Sequence, residues 1–112
     1  MADLLSSQVT LAGGSTNLAG DEFFAGEKAR AVFARRIKLT GGTCGSAANK
    51  IGAAALGFKK LVDCSSLWDA NASKLYRAGV DPVNNNILLA AVASDTPADV
   101  THVSSFITVW GT

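Results

Sequence analysis

The segment near the end of the chain, Val103 to Trp110, constrains the fold more than any other. It is rich in β-branched and aromatic residues, which pack well on a pleated sheet and are enriched in strands. Every second residue from Phe106 to Trp110 would lie on one face of a strand, and the residues between them, such as Ile107, on the other. This period of two predicts a β-strand.

A β-hairpin is predicted shortly before this strand. The runs Ser73–Val80 and Asn86–Ala93 are separated by the sequence Asp-Pro-Val-Asn-Asn. Proline fixes one backbone torsion of a turn, and asparagine tolerates the left-handed conformation that many turns require. The two runs around this turn therefore predict a pair of antiparallel strands.

Three other segments carry weaker patterns. Ala29–Leu39 alternates like a strand but also fits the apolar stripe of a helix, and the periodicity leaves both possibilities open. Phe58–Cys64 has apolar residues on both sides, as in an edge strand. Ser46–Leu56 is rich in alanine, has apolar residues at helical spacing and is followed by Gly57, which together predict one short helix.

The fold class follows from these elements. At 112 residues, the chain would bury about 65% of its surface on folding, which is enough for one core. Several short strands separated by Gly and Asn turns are typical of antiparallel all-β folds. We expect a mainly β protein, a small antiparallel β-sandwich or barrel with one short helix and an extended N-terminal arm. Residues 1–26 would form the arm and residues 27–112 the β domain.

The arm is defined by glycines that lie among short apolar pieces. Gly13, Gly14 and Gly20 interrupt it, and no helical or strand period persists. Its apolar side chains are too many for a free tail, so we expect them to bind a partner; they are Leu4, Leu5, Val9, Leu11, Phe23 and Phe24. The alternative is an ordinary first strand and loop of the same domain, and the sequence leaves it open.

The charge balance restricts the partners. The chain has 10 Lys+Arg and 9 Asp+Glu, a net charge of +1, and only 17% of its residues are charged. Proteins that bind nucleic acid rely on a clear excess of Lys and Arg on one face, so we expect no nucleic-acid partner. The longest apolar run, Ile87–Ala93, is far shorter than the ~20 residues that span a bilayer, and no secretory signal is visible. We therefore expect no membrane and synthesis in the cytoplasm.

Candidate catalytic residues are few. His102 is the only histidine, so a nucleophilic site would need it beside Cys44 or Cys64. Asp63 or Asp99 would supply the acid, but neither cysteine lies in a recognisable nucleophile turn. Three widely spaced Cys and His residues do not supply the four ligands of a zinc site, and the Gly-Gly turns lack the Lys-Ser/Thr ending of a phosphate-binding loop. We expect no enzyme, with no catalytic residue, metal or cofactor, and two free, buried thiols.

Two tryptophans and one basic group are candidates for binding surfaces. Trp68 lies among polar residues outside a clean strand pattern, and Trp110 ends the last strand. We count both among the partner-binding residues, with packing in the core or at an interface favoured over sugar stacking. The basic residues Arg35, Arg36 and Lys38 would form either a solvated face or a surface complementary to an acidic partner.

The order of these signals from residue 29 to residue 112 resembles a known class of proteins. The residues that carry the likeness are Arg36–Thr43, Ile51–Phe58, Lys60–Val62, the hairpin around Tyr76 and Asp81, and Phe106–Gly111. They give a basic strand that enters a Gly-Thr turn, an Ala/Leu-Gly helical turn, further strands, and a closing strand that ends in glycine. This layout resembles the head decoration, or cement, proteins of tailed bacteriophages.

The resemblance implies a function and a location. It implies a non-enzymatic structural protein of the virion that binds the outside of the capsid and clamps neighbouring shell subunits. The partner would be the major capsid protein, and the protein a symmetric homo-oligomer, with a trimer favoured, assembled in the host cytoplasm. The resemblance also favours a strand over residues 34–40. A carbohydrate-binding or host-adhesion module of a phage tail is the alternative, with Trp68, Tyr76 and the turn at Asn84–Asn86 as a sugar site.

Overall fold

The computed structural model describes residues 2–12, 23–24 and 32–112, and for residues 23 and 24 it describes the backbone alone. Within these residues, one 3₁₀ turn covers Ser6–Gln8. No helix in this part of the chain is long and apolar enough to cross a membrane. The strands are β1 (Val9–Leu11), β2 (Phe23–Phe24), β3 (Phe33–Leu39), β4 (Thr43–Cys44), β5 (Ile51–Gly52), β6 (Leu61–Cys64), β7 (Leu67–Asp69), β8 (Lys74–Asp81), β9 (Asn86–Ala91), β10 (Val100–Thr101) and β11 (Ser105–Gly111).

Nine of the described strands form one antiparallel sheet that curls into a half-barrel. Across the sheet the strand order is β1-β3-β11-β7-β8-β9-β5. β2 lies on the same edge of β3 as β1, and β6 lies on the same edge of β11 as β7. β4 and β10 form a separate pair. The expected mainly β, antiparallel fold is therefore confirmed.

β3 and β11 form the centre of the sheet. They pair along their whole length, from Leu39 opposite Ser105 to Phe33 opposite Gly111. Burial alternates strictly along β11, with Ile107 and its alternate neighbours buried on the inner face of the half-barrel. The predicted last strand and its period of two are therefore confirmed. The ambiguous segment before residue 40 is a strand from residue 33 onward, and its first residues, 29–31, lie outside the described residues.

The hairpin of β8 and β9 is also confirmed, and its turn shows why. The Asp81 carboxylate accepts hydrogen bonds from the backbone N–H groups of Val83 and Asn84, at 3.0 and 3.3 Å. Asn85 adopts a φ of 58°, the left-handed conformation that asparagine tolerates. Its side-chain oxygen accepts a hydrogen bond from the backbone N–H of Leu61 at 2.9 Å. The turn thus ties the hairpin to the start of β6.

The short helix predicted for Ser46–Leu56 is wrong. Ile51 and Gly52 instead form β5, which pairs with β9, and turns continue to Gly57. A helix this short is marginal in water by its own propensity. Pairing with β9 satisfies backbone groups of that strand, and it buries Ile51 in the core. Tertiary contacts therefore override the local preference of the alanines.

The core lies on the inner face of the half-barrel. Its fully buried side chains include Ile37, Leu39, Leu67, Ile87, Leu89 and Ile107. Leu56 and Phe58, from the segment after β5, are buried against the same cluster. Arg35 also points inward: its guanidinium lies 4.5 Å from the centroid of the Phe58 ring, and Nη1 donates a hydrogen bond to the Gly57 carbonyl at 2.6 Å. One basic residue of β3 is thus structural and the other two, Arg36 and Lys38, are left for the outer face.

The first part of the predicted arm belongs to the β domain. β1 adds to the edge of β3. The side chains of Leu4 and Val9 are buried in the core cluster, and Leu11 is buried as well. For residues 2–12 the alternative considered above, a first strand of the same domain, is the observed structure. These three side chains are therefore core residues rather than residues that contact a partner.

The rest of the predicted arm contributes less to the described structure. Leu5 is 56% exposed, so it remains available to a partner. The backbone of Phe23 and Phe24 pairs with β3 as β2. Their side chains, together with residues 13–22 and 25–31, lie outside the described residues. The expected boundary between residues 26 and 27 falls there as well.

Candidate functional site

His102 is a buried, neutral side chain with both ring nitrogens in use. It is 2% exposed, its Nε2 lies 3.2 Å from the Cys44 carbonyl oxygen, and its Nδ1 lies 2.8 Å from Ser105 Oγ. A carbonyl oxygen can only accept, so Nε2 carries the proton and Nδ1 accepts from the serine hydroxyl. Burial lowers the pKa of the ring below its ordinary value. His102 therefore holds the β4–β10 region against β11 and has no nitrogen left for a substrate.

The two thiols are protonated and do not pair with each other. Burial raises the pKa of the Cys44 thiol to about 12 and that of the Cys64 thiol to about 11. The thiolate is the nucleophilic form of cysteine, so neither side chain is activated near neutral pH. The structure brings the backbone of Cys44 to His102, but it does not prepare the thiol for attack.

The two candidate acids have structural contacts. Asp99 accepts hydrogen bonds from the backbone and hydroxyl of Ser46 and, through its other oxygen, from Asn49 Nδ2 at 2.7 Å. The hydrogen bond from the Ser46 side chain is the main cause that lowers the pKa of Asp99. Asp63 accepts a hydrogen bond from the backbone N–H of Cys64 at 2.8 Å. Asp99 thus fixes the loop before β5 rather than assisting a nucleophile.

No metal site is present in the described part of the chain, because no group of three or more Cys, His, Asp or Glu residues is close enough to hold an ion. The Gly41–Thr43 segment is a turn into β4, and Gly42 has a φ of +91°. The Gly13–Ser15 segment lies outside the described residues. Among residues 2–12 and 32–112, the structure therefore does not bring together a nucleophile, a base and an acid, or a set of metal ligands.

The outer face of the sheet carries a row of side chains that runs across four strands. In register, Lys38 of β3 lies opposite Phe106 of β11, Phe106 opposite Trp68 of β7, and Trp68 opposite Leu75 of β8. Residues directly opposite each other on one face are in side-chain contact range. We call these four residues, Lys38, Phe106, Trp68 and Leu75, the outer row.

The outer row is apolar and accessible along most of its length. Trp68 is 41% exposed and Leu75 is 47% exposed, while Phe106 is half-buried. Val92, just after β9, is 57% exposed and lines one shallow cleft together with Leu75. Large apolar side chains that are contiguous and exposed are typical of interaction surfaces. Among the residues that the structure describes, the row is therefore the best candidate for a functional site.

Two cations surround the aromatic ring at the β3 end of the outer row. The Arg36 guanidinium carbon lies 6.0 Å and Lys38 Nζ lies 5.8 Å from the centroid of the Phe106 ring, distances at which a cation is attracted to the ring face. Arg36 Nη1 also donates a hydrogen bond to Thr108 Oγ1 at 3.1 Å. These contacts hold both positive charges beside the aromatic part of the row.

The structure separates the residues that the sequence grouped as a sugar site. Trp68 faces outward, whereas Tyr76 packs against the core from the inner face. The turn at Asn84–Asn86 lies at the far end of the hairpin, because Trp68 neighbours the start of β8. These residues therefore do not form one site. Trp110 is half-buried beside Ala34 and Asp63 in a different row.

Of the predicted partner-binding residues, Trp68 is in the outer row and Leu5 is exposed elsewhere. Phe106, Leu75 and Val92 were missed. The alternation in β11 does place Phe106 on the face opposite Ile107, but only the pairing of β11 with β7 sets it beside Trp68. A strand pattern identifies faces, and the strand order identifies neighbours.

Comparisons with known proteins identify no relative: no family model, no curated protein and no solved structure matches the chain. The candidate site is accordingly described by its own geometry. Its features are an exposed apolar row, two cations at one end, and no activated nucleophile or assembled metal ligands in the described residues.

Proposed function

We propose that this protein is a non-enzymatic structural protein of a tailed-bacteriophage virion. It binds the outside of the capsid through the major capsid protein and stabilises the shell by clamping neighbouring subunits. Support comes from the sequence layout that resembles head decoration proteins and from the small antiparallel β fold. The observation that carries the proposal is the outer row, an exposed apolar surface that spans four strands.

Binding rather than catalysis is the role that best suits the polar groups. The ring nitrogens of His102 are both hydrogen-bonded, and the pKa values of both thiols are raised. In the outer row, in contrast, Trp68 and Leu75 are partly exposed to water. A partner that covered their apolar surface would gain free energy of binding.

Attachment as an oligomer follows from the same reasoning. One outer row is a small surface, and several copies held together bind a repeating shell far more tightly than one copy does. A homo-trimer is favoured because capsids offer three-fold positions between their capsomers. In this proposal the protein is located on the capsid surface, and neither nucleic acid nor a membrane is a partner.

The test is where the protein is found and in how many copies. Particles of the phage that encodes the chain would be purified, and the protein counted by quantitative mass spectrometry and located by cryo-electron microscopy. A capsid-binding protein is expected in hundreds of copies on the shell. Absence from particles, or an interior position, contradicts the proposal.

Two variants test whether the outer row is the surface that binds the capsid. The double variant Trp68→Ala with Leu75→Ala should keep its fold by circular dichroism but lose binding to undecorated particles by about tenfold or more. Val83→Ala is the matched control, because Val83 is exposed on the hairpin turn, away from the row. If the control loses binding equally, the surface has been placed wrongly.

A carbohydrate-binding or host-adhesion module of a phage tail is the second candidate. The observation in its favour is the exposed ring of Trp68 directly opposite Phe106, since aromatic rings stack on sugar faces. Such a module would be present in a few copies at one vertex. Quenching of the fluorescence of Trp68 by host glycans, lost in Trp68→Ala, would favour this candidate over capsid binding.

A further inference from the structure

We propose that the β3 end of the outer row binds a carboxylate-bearing segment of the partner protein, in which acidic residues adjoin apolar ones. The residues concerned are Arg36, Lys38, Phe106 and Trp68. This inference rests on the proposed function, because it takes the partner to be the protein of a capsid shell. It adds the chemistry of the contact and the direction in which the segment lies on the sheet.

The first argument is that the two cations have no carboxylate partner among the described residues. Among the residues that the structure describes, neither Arg36 nor Lys38 forms a salt bridge. Both are kept beside the Phe106 ring, at 6.0 and 5.8 Å from its centroid. Two positive charges that are held against an apolar ring, with no counter-ion in the described part of the chain, form a surface complementary to an acidic one.

The second argument is that the other end of the outer face is already neutralised. Arg77 of β8 forms an ion pair with Asp95, with 3.2 Å between Nη1 and Oδ1. The same nitrogen donates a hydrogen bond to the Ser94 carbonyl at 2.8 Å. Leu75 and Val92 lie next to this paired arginine. The face therefore has available cations at the β3 end and apolar residues without available charge at the β8–β9 end.

This asymmetry defines how a partner segment would lie. Its carboxylates would lie over Arg36 and Lys38, its apolar side chains would cover Trp68, and further apolar residues would continue toward Leu75. The guanidinium of Arg36 can bind a carboxylate through two parallel hydrogen bonds, whereas the Lys38 ammonium acts as a point charge. Reversing the segment would place its carboxylates beside Leu75 and Val92, where the nearby Arg77 is already paired with Asp95, so they would lose water without gaining an unpaired cation.

An acidic polypeptide fits this surface better than a nucleic acid does. A nucleic acid carries a phosphate at every nucleotide, so binding would require cations along the whole row. The row beyond Phe106 has none, and the net charge of the chain is +1. Neutral sugar would stack on Trp68 without any use for the two cations. A segment with acidic residues at one end and apolar residues at the other uses the entire surface.

The experiment on particles compares charge reversals at two places. Arg36→Glu with Lys38→Glu should weaken binding to undecorated particles by about tenfold or more at low salt. Lys59→Glu with Lys60→Glu carries the same change of charge at two exposed residues outside the outer row, and it should change binding less than about twofold. Wild-type binding should weaken at about 0.3 M salt, because charges more than a few ångströms apart are then screened from each other. Binding of the Arg36/Lys38 variant should not depend on salt in this way.

A second measurement needs no particles, so that the two proposals can fail separately. NMR spectra of the full chain would be recorded with a short peptide of aspartates followed by leucines, with its asparagine counterpart, and with oligothymidylate. The acidic peptide alone is expected to shift the resonances of the Trp68 indole and the Phe106 ring, and the Arg36/Lys38 reversal should abolish the shift.

The possible outcomes separate clearly. Equal shifts from the acidic and the asparagine peptides overturn the inference, and stronger binding of oligothymidylate overturns it in favour of a nucleic-acid surface. If particles bind the wild type and lose only the Trp68/Leu75 variant, capsid binding stands and the acidic contact does not. If no particle binds the wild type but the acidic peptide does, the contact chemistry stands and the capsid proposal fails.

Discussion

Strands β11 and β8 are similar in length and in pattern, yet they are packed very differently. In β11 every inner-face residue is buried and every outer-face residue is half-buried. In β8 most outer-face residues are exposed, and no inner-face residue, Tyr76 included, is more than half-buried. β11 has hydrogen-bonded neighbours on both edges, whereas β7 pairs with β8 only at residues 74–76.

This difference teaches that alternation assigns a face but does not set the depth of burial. Depth depends on how many strands and loops cover that face, and the half-barrel covers the inner face of β11 more fully than that of β8. The stability of the domain should therefore depend more on the side chains of β11 than on those of β8. The outer faces of β7 and β8, where Trp68 and Leu75 are exposed, can tolerate substitution and are accessible to a partner.

The largest expected effect comes from removing the strand that covers the edge of β3. Deleting residues 1–12 removes Leu4, Val9 and Leu11 from the core, at roughly 1.5–3 kcal/mol for each buried side chain. The sum approaches the whole stability of many small domains, about 5–15 kcal/mol. The truncated chain should be unfolded by circular dichroism. A truncated protein with a wild-type thermal transition would restore the interpretation of this segment as a detachable arm.

A second test replaces one large apolar residue on each side. Ile107→Ala should lower the free energy of unfolding by about 2–5 kcal/mol, because Ile107 is fully buried in β11. Leu75→Ala should change it by less than about 0.5 kcal/mol, because Leu75 is 47% exposed. Urea denaturation measures both. Similar losses in the two variants would mean that β8 is packed as tightly as β11.

Replacing a glycine by alanine should change the stability in opposite directions in β11 and in β8. A Cβ at Gly111 in β11 would lie 2.5 Å from the Lys60 carbonyl oxygen and 2.6 Å from Phe58 Cδ1, whereas a Cβ at Gly79 in β8 would meet nothing within 4 Å. Gly111→Ala should therefore destabilise the protein by about 1–3 kcal/mol. Gly79→Ala should stabilise it by about 0.4–1 kcal/mol, since alanine restricts the unfolded chain. Thermal denaturation would show the two shifts, and a loss at Gly79 would contradict the open space beside β8.

The last effect concerns pH and lies on the β11 side. Burial lowers the pKa of His102 in the folded state, so its neutral form contributes stability above the ordinary pKa of about 6.5. As the pH falls below that value, the unfolded state takes up a proton first, and stability is lost at up to about 1.4 kcal/mol per pH unit until the folded pKa is reached. His102→Gln should be less stable near neutral pH but show a flatter slope between pH 6.5 and the folded pKa, measured by urea denaturation at several pH values. Parallel slopes in the two proteins would exclude His102 as the source.

Much of the fold follows from local sequence. The period of two in Val103–Trp110 and the turn chemistry after Asp81 predict the last strand and the hairpin, and both are present. Strand alternation is local, because successive side chains of an extended chain point to opposite faces wherever the strand is placed. The expectation of a mainly antiparallel β domain therefore needed no knowledge of which strand lies beside which.

Two features of the fold were decided by tertiary structure alone. Ile51 is in a strand because β9 lies beside it, although the alanines that follow favour a helix. Val9 and Leu11 are core residues because β3 offers a free edge, although the glycines nearby suggest an arm. Local propensities contribute only tenths of a kcal/mol per residue, so burial of one large side chain outweighs them.

The candidate site is the clearest case of a tertiary decision. Lys38, Phe106, Trp68 and Leu75 come from four strands, and strand pairing sets them side by side. The sequence determined that Phe106 and Trp68 are aromatic, that Lys38 is basic, and that Phe106 lies on the face opposite Ile107. It could not determine that they are neighbours, because hydrogen bonds between distant parts of the chain fix the register and a shift by one residue would turn each side chain to the other face.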